Sequence, residues 1–264
     1  MSVLPPGTIL QLMYLEERLR EIPPGRFLEI GPGSGEISNL LLNLGWSGVS
    51  YDLELRTVDS LKVRFGKEFE EGRYEPINED YLAEINNTSI KFDLIISCMV
   101  IEHLDSELET KFMQTSQNLL SEGGLMIGLV PGSPAHWGIE DEIAGHCRRY
   151  SREALLALAT NNKWEVRHVA GLTYPISNIL LPISNFIVRR AESSKLKMSD
   201  IDKTKASGIR GVKFKTTFPS ILSLLLNKYV LYPLHWVQKA FSYSSHSLVL
   251  YFEVTPQCRN KGDA

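Results

Sequence analysis

Phe27-Leu28-Glu29-Ile30-Gly31-Pro32-Gly33-Ser34-Gly35-Glu36 sets an apolar run, an acid and three alternating glycines directly ahead of Ile37, Leu40, Leu41 and Leu44, which recur at helical spacing. The run Phe27, Leu28, Ile30 is short and continuous, as a strand buried on both faces would be. Three glycines at alternate positions let the chain take positive φ angles and come close to a bound molecule. A helix that starts immediately afterwards directs unpaired N–H groups and the positive end of its dipole at that place. The stretch is therefore a strand, a tight turn and a helix arranged around an anionic or zwitterionic ligand group.

The next apolar run, Gly48-Val49-Ser50-Tyr51, ends at Asp52, about twenty residues on, where an acid closing the second strand of a βαβ unit meets ribose hydroxyls. The glycine spacing is G-x-G-x-G and no lysine follows, which departs from both the dinucleotide fingerprint and the P-loop. With these residues, the acidic turn Asn78-Glu79-Asp80-Tyr81, the strand Phe92 to Ser97 and the turn Leu120 to Ile127, the chain resembles the class I S-adenosylmethionine-dependent methyltransferases, small-molecule branch, over residues 26–171. The resemblance implies an α/β, doubly wound, mostly parallel seven-stranded sheet. It also implies that Glu29, Gly31, Gly33 and Gly35 hold the methionine end of the cofactor and that Asp52 accepts from the ribose hydroxyls. Asp80 would then accept from the adenine amino group, with Tyr81, Ser97 and Met99 on the ring side. Asp80 as a turn residue and Tyr81 as a core aromatic are the alternatives.

Strand signals fall at residues 27–30, 48–52, 74–78, 92–97, 125–130 and 164–170, with a final run at 247–254, the seventh and antiparallel strand of the resemblance. A single domain follows, with an N-terminal helical part in 1–25, a core in 26–171, an insertion in 172–246 and the last strand in 247–256. Residues 9–22 read as a helix with Leu12, Leu15 and Leu19 on one face. The 264 residues carry a net charge of −3, which offers no broad basic surface to a nucleic acid. No Asn/Asp-Pro-Pro-Tyr/Phe box follows the fourth strand, where Ser97-Cys98-Met99-Val100 stands. Cys98, Cys147 and Cys258 lack zinc or disulfide spacing, and the amino terminus has no secretory pattern, so a reducing cytoplasmic setting is expected.

The insertion starts from the sheet edge that carries the cofactor residues and should roof the acceptor pocket; a helical pair packed elsewhere or used for association is the other reading. Its apolar runs 179–183 and 221–226, expected as lid or core helices, are too short to cross a bilayer, although peripheral membrane contact fits its apolar, aromatic and basic composition. The segment 137–150 supplies candidate chemistry: His146 as the leading base, His103 as its competitor, and Arg148 and Arg149 to grip an anionic acceptor or to pair with Asp141 and Glu142. His136, His146 and Asp141 lack ligand spacing, so no metal is expected. The function expected is methyl transfer to a small molecule, at oxygen, the acceptor being anionic or lipid-linked. The alternative is a non-catalytic cofactor-binding partner that uses the insertion for protein or membrane contact.

Overall fold

The structure, a computed structural model, describes residues 3–84, 90–192 and 218–257. Seven strands, β1 (Arg26–Ile30), β2 (Ser47–Tyr51), β3 (Tyr74–Ile77), β4 (Phe92–Cys98), β5 (Leu120–Pro131), β6 (Trp164–Leu172) and β7 (Val249–Pro256), form one sheet in the order β3-β2-β1-β4-β5-β7-β6. β7 runs antiparallel between β5 and β6, and the other neighbours pair in parallel. The doubly wound, mostly parallel seven-stranded architecture is as expected. β5 begins five residues earlier than the sequence indicates, because Leu120 already pairs with Phe92 before a bulge resets the register at Leu94.

Helices cover both faces, which is why β1 and β4 read as continuous apolar runs rather than as alternations. On one face, α1 (Pro6–Leu19), α2 (Glu36–Asn43) and α3 (Leu55–Arg64), followed by the short α4 (Gly66–Glu70), bury Leu15, Leu41 and Leu61 against Phe27, Leu94 and Ile127. On the other, α5 (Tyr81–Glu84), α6 (Ser106–Leu119) and α8 (Arg152–Asn161) bury Leu82, Phe112 and Leu155 against Leu28, Ile95 and Met126, with α7 (Ile139–Ala144) between β5 and α8 in the chain. α1 starts three residues before the predicted helix because Pro6 sits in its first turn, where a missing N–H costs nothing. Ser151 caps α8 as its sequence suggests, its Oγ accepting from the Ala154 N–H at 3.1 Å.

The insertion holds α9 (Ile176–Glu192), a 3₁₀ turn at Ser220–Leu224 and α10 (Tyr232–Ala240). The predicted run 179–183 lies inside α9, but 221–226 spans the 3₁₀ turn rather than a buried helix, and Ile221, Leu224 and Leu225 are exposed. Between the two runs the sequence has a polar, basic stretch from Arg189 to Lys215, and residues 193–217, which hold most of it, lie outside the described residues. α10 is tied to α1: Gln238 donates to the Leu10 carbonyl at 2.9 Å and accepts from the Thr173 N–H at 3.0 Å, while His235 and Lys239 both meet Glu17. Among the described residues no helix is long and apolar enough to cross a membrane.

Candidate active site

The carboxyl ends of β1, β2, β4 and β5 open into one cavity of about 980 Å³, walled on its far side by α1, α9 and the 218–226 segment. Its floor is the turn after β1, where Gly31, Gly33 and Gly35 all have positive φ, at 70°, 51° and 79°. The three glycines are needed for different reasons. A Cβ on Gly31 would lie 2.5 Å from the Val100 side chain, so the turn after β4 rests directly on it. A Cβ on Gly35 would strike Leu61 and Phe65 behind the turn, and Gly35, unlike Gly31 and Gly33, does not line the cavity. The third glycine therefore serves helix packing.

Glu29 is buried at the cavity wall, where its carboxylate accepts from Ser38 Oγ at 2.5 Å. Burial pushes this carboxyl up to about 7, against the opposing effect of the Ser38 hydroxyl. Asp52, at the end of β2, has its carboxyl raised by burial and partly offset by the Glu54 and Gly33 N–H groups, the first at 2.8 Å. Asp80 is exposed on the rim and accepts from the Leu82 N–H at 2.8 Å, so it is a turn residue that also faces the cavity. Tyr81 is a core aromatic, packed on Phe112 and bonded to Ser116 Oγ at 2.8 Å, with part of its side chain on the wall. Met99 lines the cavity in a left-handed conformation, φ 55°, a strained backbone of the kind that functional sites retain. Ser97 is buried within the sheet and does not line the cavity, because side chains alternate along β4.

Beyond Met99, the 3₁₀ turn Ile101–His103 and the segment after α7 bring together the two histidines that the sequence separates by more than forty residues. Their rings stand edge to face, 4.8 Å between centroids, and both line the cavity. Each Nδ1 faces an oxygen acceptor: His146 Nδ1 lies 2.9 Å from Asp141 Oδ1 and His103 Nδ1 lies 3.3 Å from the Gly145 carbonyl. A carboxylate and a carbonyl only accept, so in the neutral form of each ring the proton sits on Nδ1 and Nε2 carries the lone pair. Burial, reinforced by His146, lowers His103 to about 4, which keeps it neutral. Behind them lies Glu102, fully buried, its carboxyl pushed up to about 8 by burial against the opposing effect of its own backbone N–H, and with no side-chain hydrogen-bond partner among the described residues.

Both arginines are engaged internally. Arg149 Nε donates to both Asp141 oxygens, at 2.8 and 2.9 Å, and its Nη1 donates to the Gly132 carbonyl; Arg148 meets Glu109 at 2.9 Å and the Leu104 carbonyl at 3.1 Å. Asp141 thus gathers His146, Arg149 and the Gly138 N–H and fixes the imidazole's tautomer. Pairing of an arginine with Asp141 was one of the two sequence readings; Glu142 takes no part in it. Glu102 and Ser38 were not legible, since no spacing in the chain announces a contact made by tertiary packing, while α1, for which covering the cofactor or packing on the sheet were the two readings, lines the cavity with Gln11 and Leu12 and also buries Leu19 in the core.

A family model described as a methyltransferase domain matches residues 10–169. A ubiquinone biosynthesis O-methyltransferase from Caulobacter sp. (strain K31) is 31% identical over 103 residues, a match that spans 39% of this chain and 39% of that protein's length. Among solved structures, an S-adenosylmethionine-dependent methyltransferase from Clostridium acetobutylicum ATCC 824 superposes with a TM-score of 0.55 at 10% identity, covering 95% of this chain and 91% of the other. The magnesium protoporphyrin IX methyltransferase of Synechocystis PCC 6803, with bound S-adenosylhomocysteine, gives 0.52 at 15% identity, covering 63% and 77%. The chain belongs to the class I S-adenosylmethionine-dependent methyltransferases. S-adenosylmethionine is accordingly its cofactor.

Proposed function

We propose that the protein transfers the methyl group of S-adenosylmethionine to an oxygen of a small, largely apolar acceptor. The observation that carries this reading is the continuity of the cavity: the wall that holds Glu29, the glycine turn and Asp52 runs without a break into one built by Leu181, Ile187, Leu222 and Leu226 of the insertion. Its volume is at the upper end for small-molecule sites, so cofactor and acceptor fit side by side. The O-methyltransferase relative supports oxygen as the acceptor atom. On this reading Glu29 and the N–H groups of the glycine turn take the cofactor's methionine end, Asp52 its ribose, and Asp80, Tyr81 and Met99 its adenine. The insertion is the lid over the acceptor. The acceptor oxygen attacks the methyl carbon in line, the C–S bond breaks with its electron pair left on sulfur, and the hydroxyl proton passes to the His146 imidazole or its neighbour His103 on the cavity wall.

The test has two arms. Calorimetry with S-adenosylhomocysteine should show binding that Asp52→Ala weakens by about 1.5–3 kcal/mol, the loss of charge-assisted ribose bonds. Methyl-labelled cofactor, incubated with protein and fractionated cell extract, should put label into an organic-extractable product. Label confined to polar metabolites would refute the apolar acceptor, and equal affinity in a folded Asp52→Ala protein would take Asp52 out of the site.

A further inference from the structure

We propose that Glu102, His103 and His146 form a site for a first-row divalent cation in the wall of the acceptor cavity. One ligand atom from each of the three lies within 4.8 Å of the others, and Glu102 Oε1 is 3.8 Å from His146 Nε2. Donors on a tetrahedral shell of 2.0–2.2 Å stand roughly 3.4 Å apart, so closing the set takes side-chain shifts of about 1 Å. The sequence reading expected no metal because His136, His146 and Asp141 show no ligand spacing. The structure assembles a different set, two members adjacent in the chain and the third contributed by the segment after β5.

Three observations meet here. Glu102 is a fully buried carboxyl group whose oxygens have no side-chain hydrogen-bond partner among the described residues and stand no closer to His146 Nε2 than 3.8 Å, so ionising it is costly unless a cation answers it. Both imidazoles are turned by their Nδ1 contacts so that, in the neutral form, Nε2 is the unprotonated nitrogen, the form a metal takes. Asp141 behind His146 repeats the carboxylate–histidine relay that orients metal-ligating histidines, and Arg149 holds that carboxylate in turn. Two imidazoles and one carboxylate suit zinc, manganese, cobalt or ferrous ions better than calcium or magnesium, which favour all-oxygen sets.

Glu102 lies behind the histidines and only the histidines line the cavity, so the remaining coordination positions face the acceptor. A hydroxyl bound there loses its proton to solvent more readily, which replaces a histidine base with a Lewis acid at the same place. That role rests on the oxygen-transfer reading; the site itself rests on its geometry alone.

Full-length protein stripped by a chelator is titrated with cobalt(II), read by visible d–d absorption and by metal counted per chain after desalting. One ion per chain is expected. Glu102→Gln and His146→Gln should each weaken binding at least tenfold with the fold intact by circular dichroism, while His136→Ala, outside the cluster, leaves it unchanged. If one variant fails to fold, the other carries the comparison. No bound cobalt in the folded wild type, or unchanged affinity in a folded cluster variant, would overturn the site. Stripped protein should still bind S-adenosylhomocysteine; loss of that binding alone would count against the methyltransferase reading instead. Undiminished methyl transfer by stripped protein would overturn the metal's role in the reaction.

Discussion

Glu29 sits where an acid is costly to the fold, buried in the cavity wall. Its carboxyl rises from an ordinary 4.5 to about 7, so between those values the folded protein holds a proton that the unfolded chain has released. Stability of the cofactor-free protein therefore falls as pH rises from about 4.5 to about 7, and the loss is complete above that. Glu29→Gln should remove this component and gain on the order of 2–3 kcal/mol relative to wild type at pH 8 but little at pH 4.5, by urea unfolding. On the proposed placement of the cofactor, with its ammonium group beside Glu29, the same variant should lose cofactor affinity at least tenfold. An unchanged difference between the two proteins from pH 4.5 to 8 would show that Glu29 does not titrate in this window. At this scale the sequence displayed the acids that end strands, since strand ends are marked by turn chemistry. It offered the pairing of Asp141 with an arginine but not its bond to His146, and it did not display Glu102, because a buried carboxyl has the same letter as a solvated one.

The elements were the most legible level. Each of the seven strands lies within a few residues of its sequence pattern: the central β1 and β4, covered on both faces, read as apolar runs, while β3 and the first half of β6 show polar residues between buried ones. The 3₁₀ turn at Ser220–Leu224 was misjudged, since an apolar run too short for a helix period carries no information on which side is buried. The glycine turn shows how one motif divides between elements. Gly35→Ala should cost about 2–4 kcal/mol, combining the strain of φ 79° with overpacking against Leu61 and Phe65 where α2 meets α3. The folded fraction should bind S-adenosylhomocysteine nearly as wild type. Gly33→Ala, on the cavity floor, should reverse the pattern and lose affinity more than stability. Equal effects of the two on binding would return Gly35 to the cofactor site.

For the whole molecule, charge and apolarity are distributed unevenly. Residues 172–246 hold eleven Lys and Arg against three Asp and Glu, a net of +8 in a chain whose total is −3. The same insertion exposes Ile179, Ile183 and Phe186 at positions i, i+4 and i+7 of α9, and beyond the 3₁₀ turn Tyr229 and Trp236, with Arg189, Arg190, Lys228 and Lys239 on the same segments. Ile183 also lines the cavity, so the exposed face begins at the rim of the acceptor pocket. An apolar acceptor reaching the pocket from a bilayer would enter across this face, and basic residues beside apolar ones suit an anionic leaflet, each contributing about 1 kcal/mol near the surface. The protein should therefore co-sediment with vesicles containing phosphatidylglycerol and much less with pure phosphatidylcholine. Added salt should weaken the binding, and the double variant Ile179→Ser, Phe186→Ser should reduce it at least fivefold. Neither residue lines the cavity, so that variant should keep its affinity for S-adenosylhomocysteine and its turnover of a detergent-dispersed acceptor. Vesicle binding that ignored both the anionic lipid and the two serines would sink membrane contact through this face, and the exposed apolar residues would then be read as a surface for another protein chain.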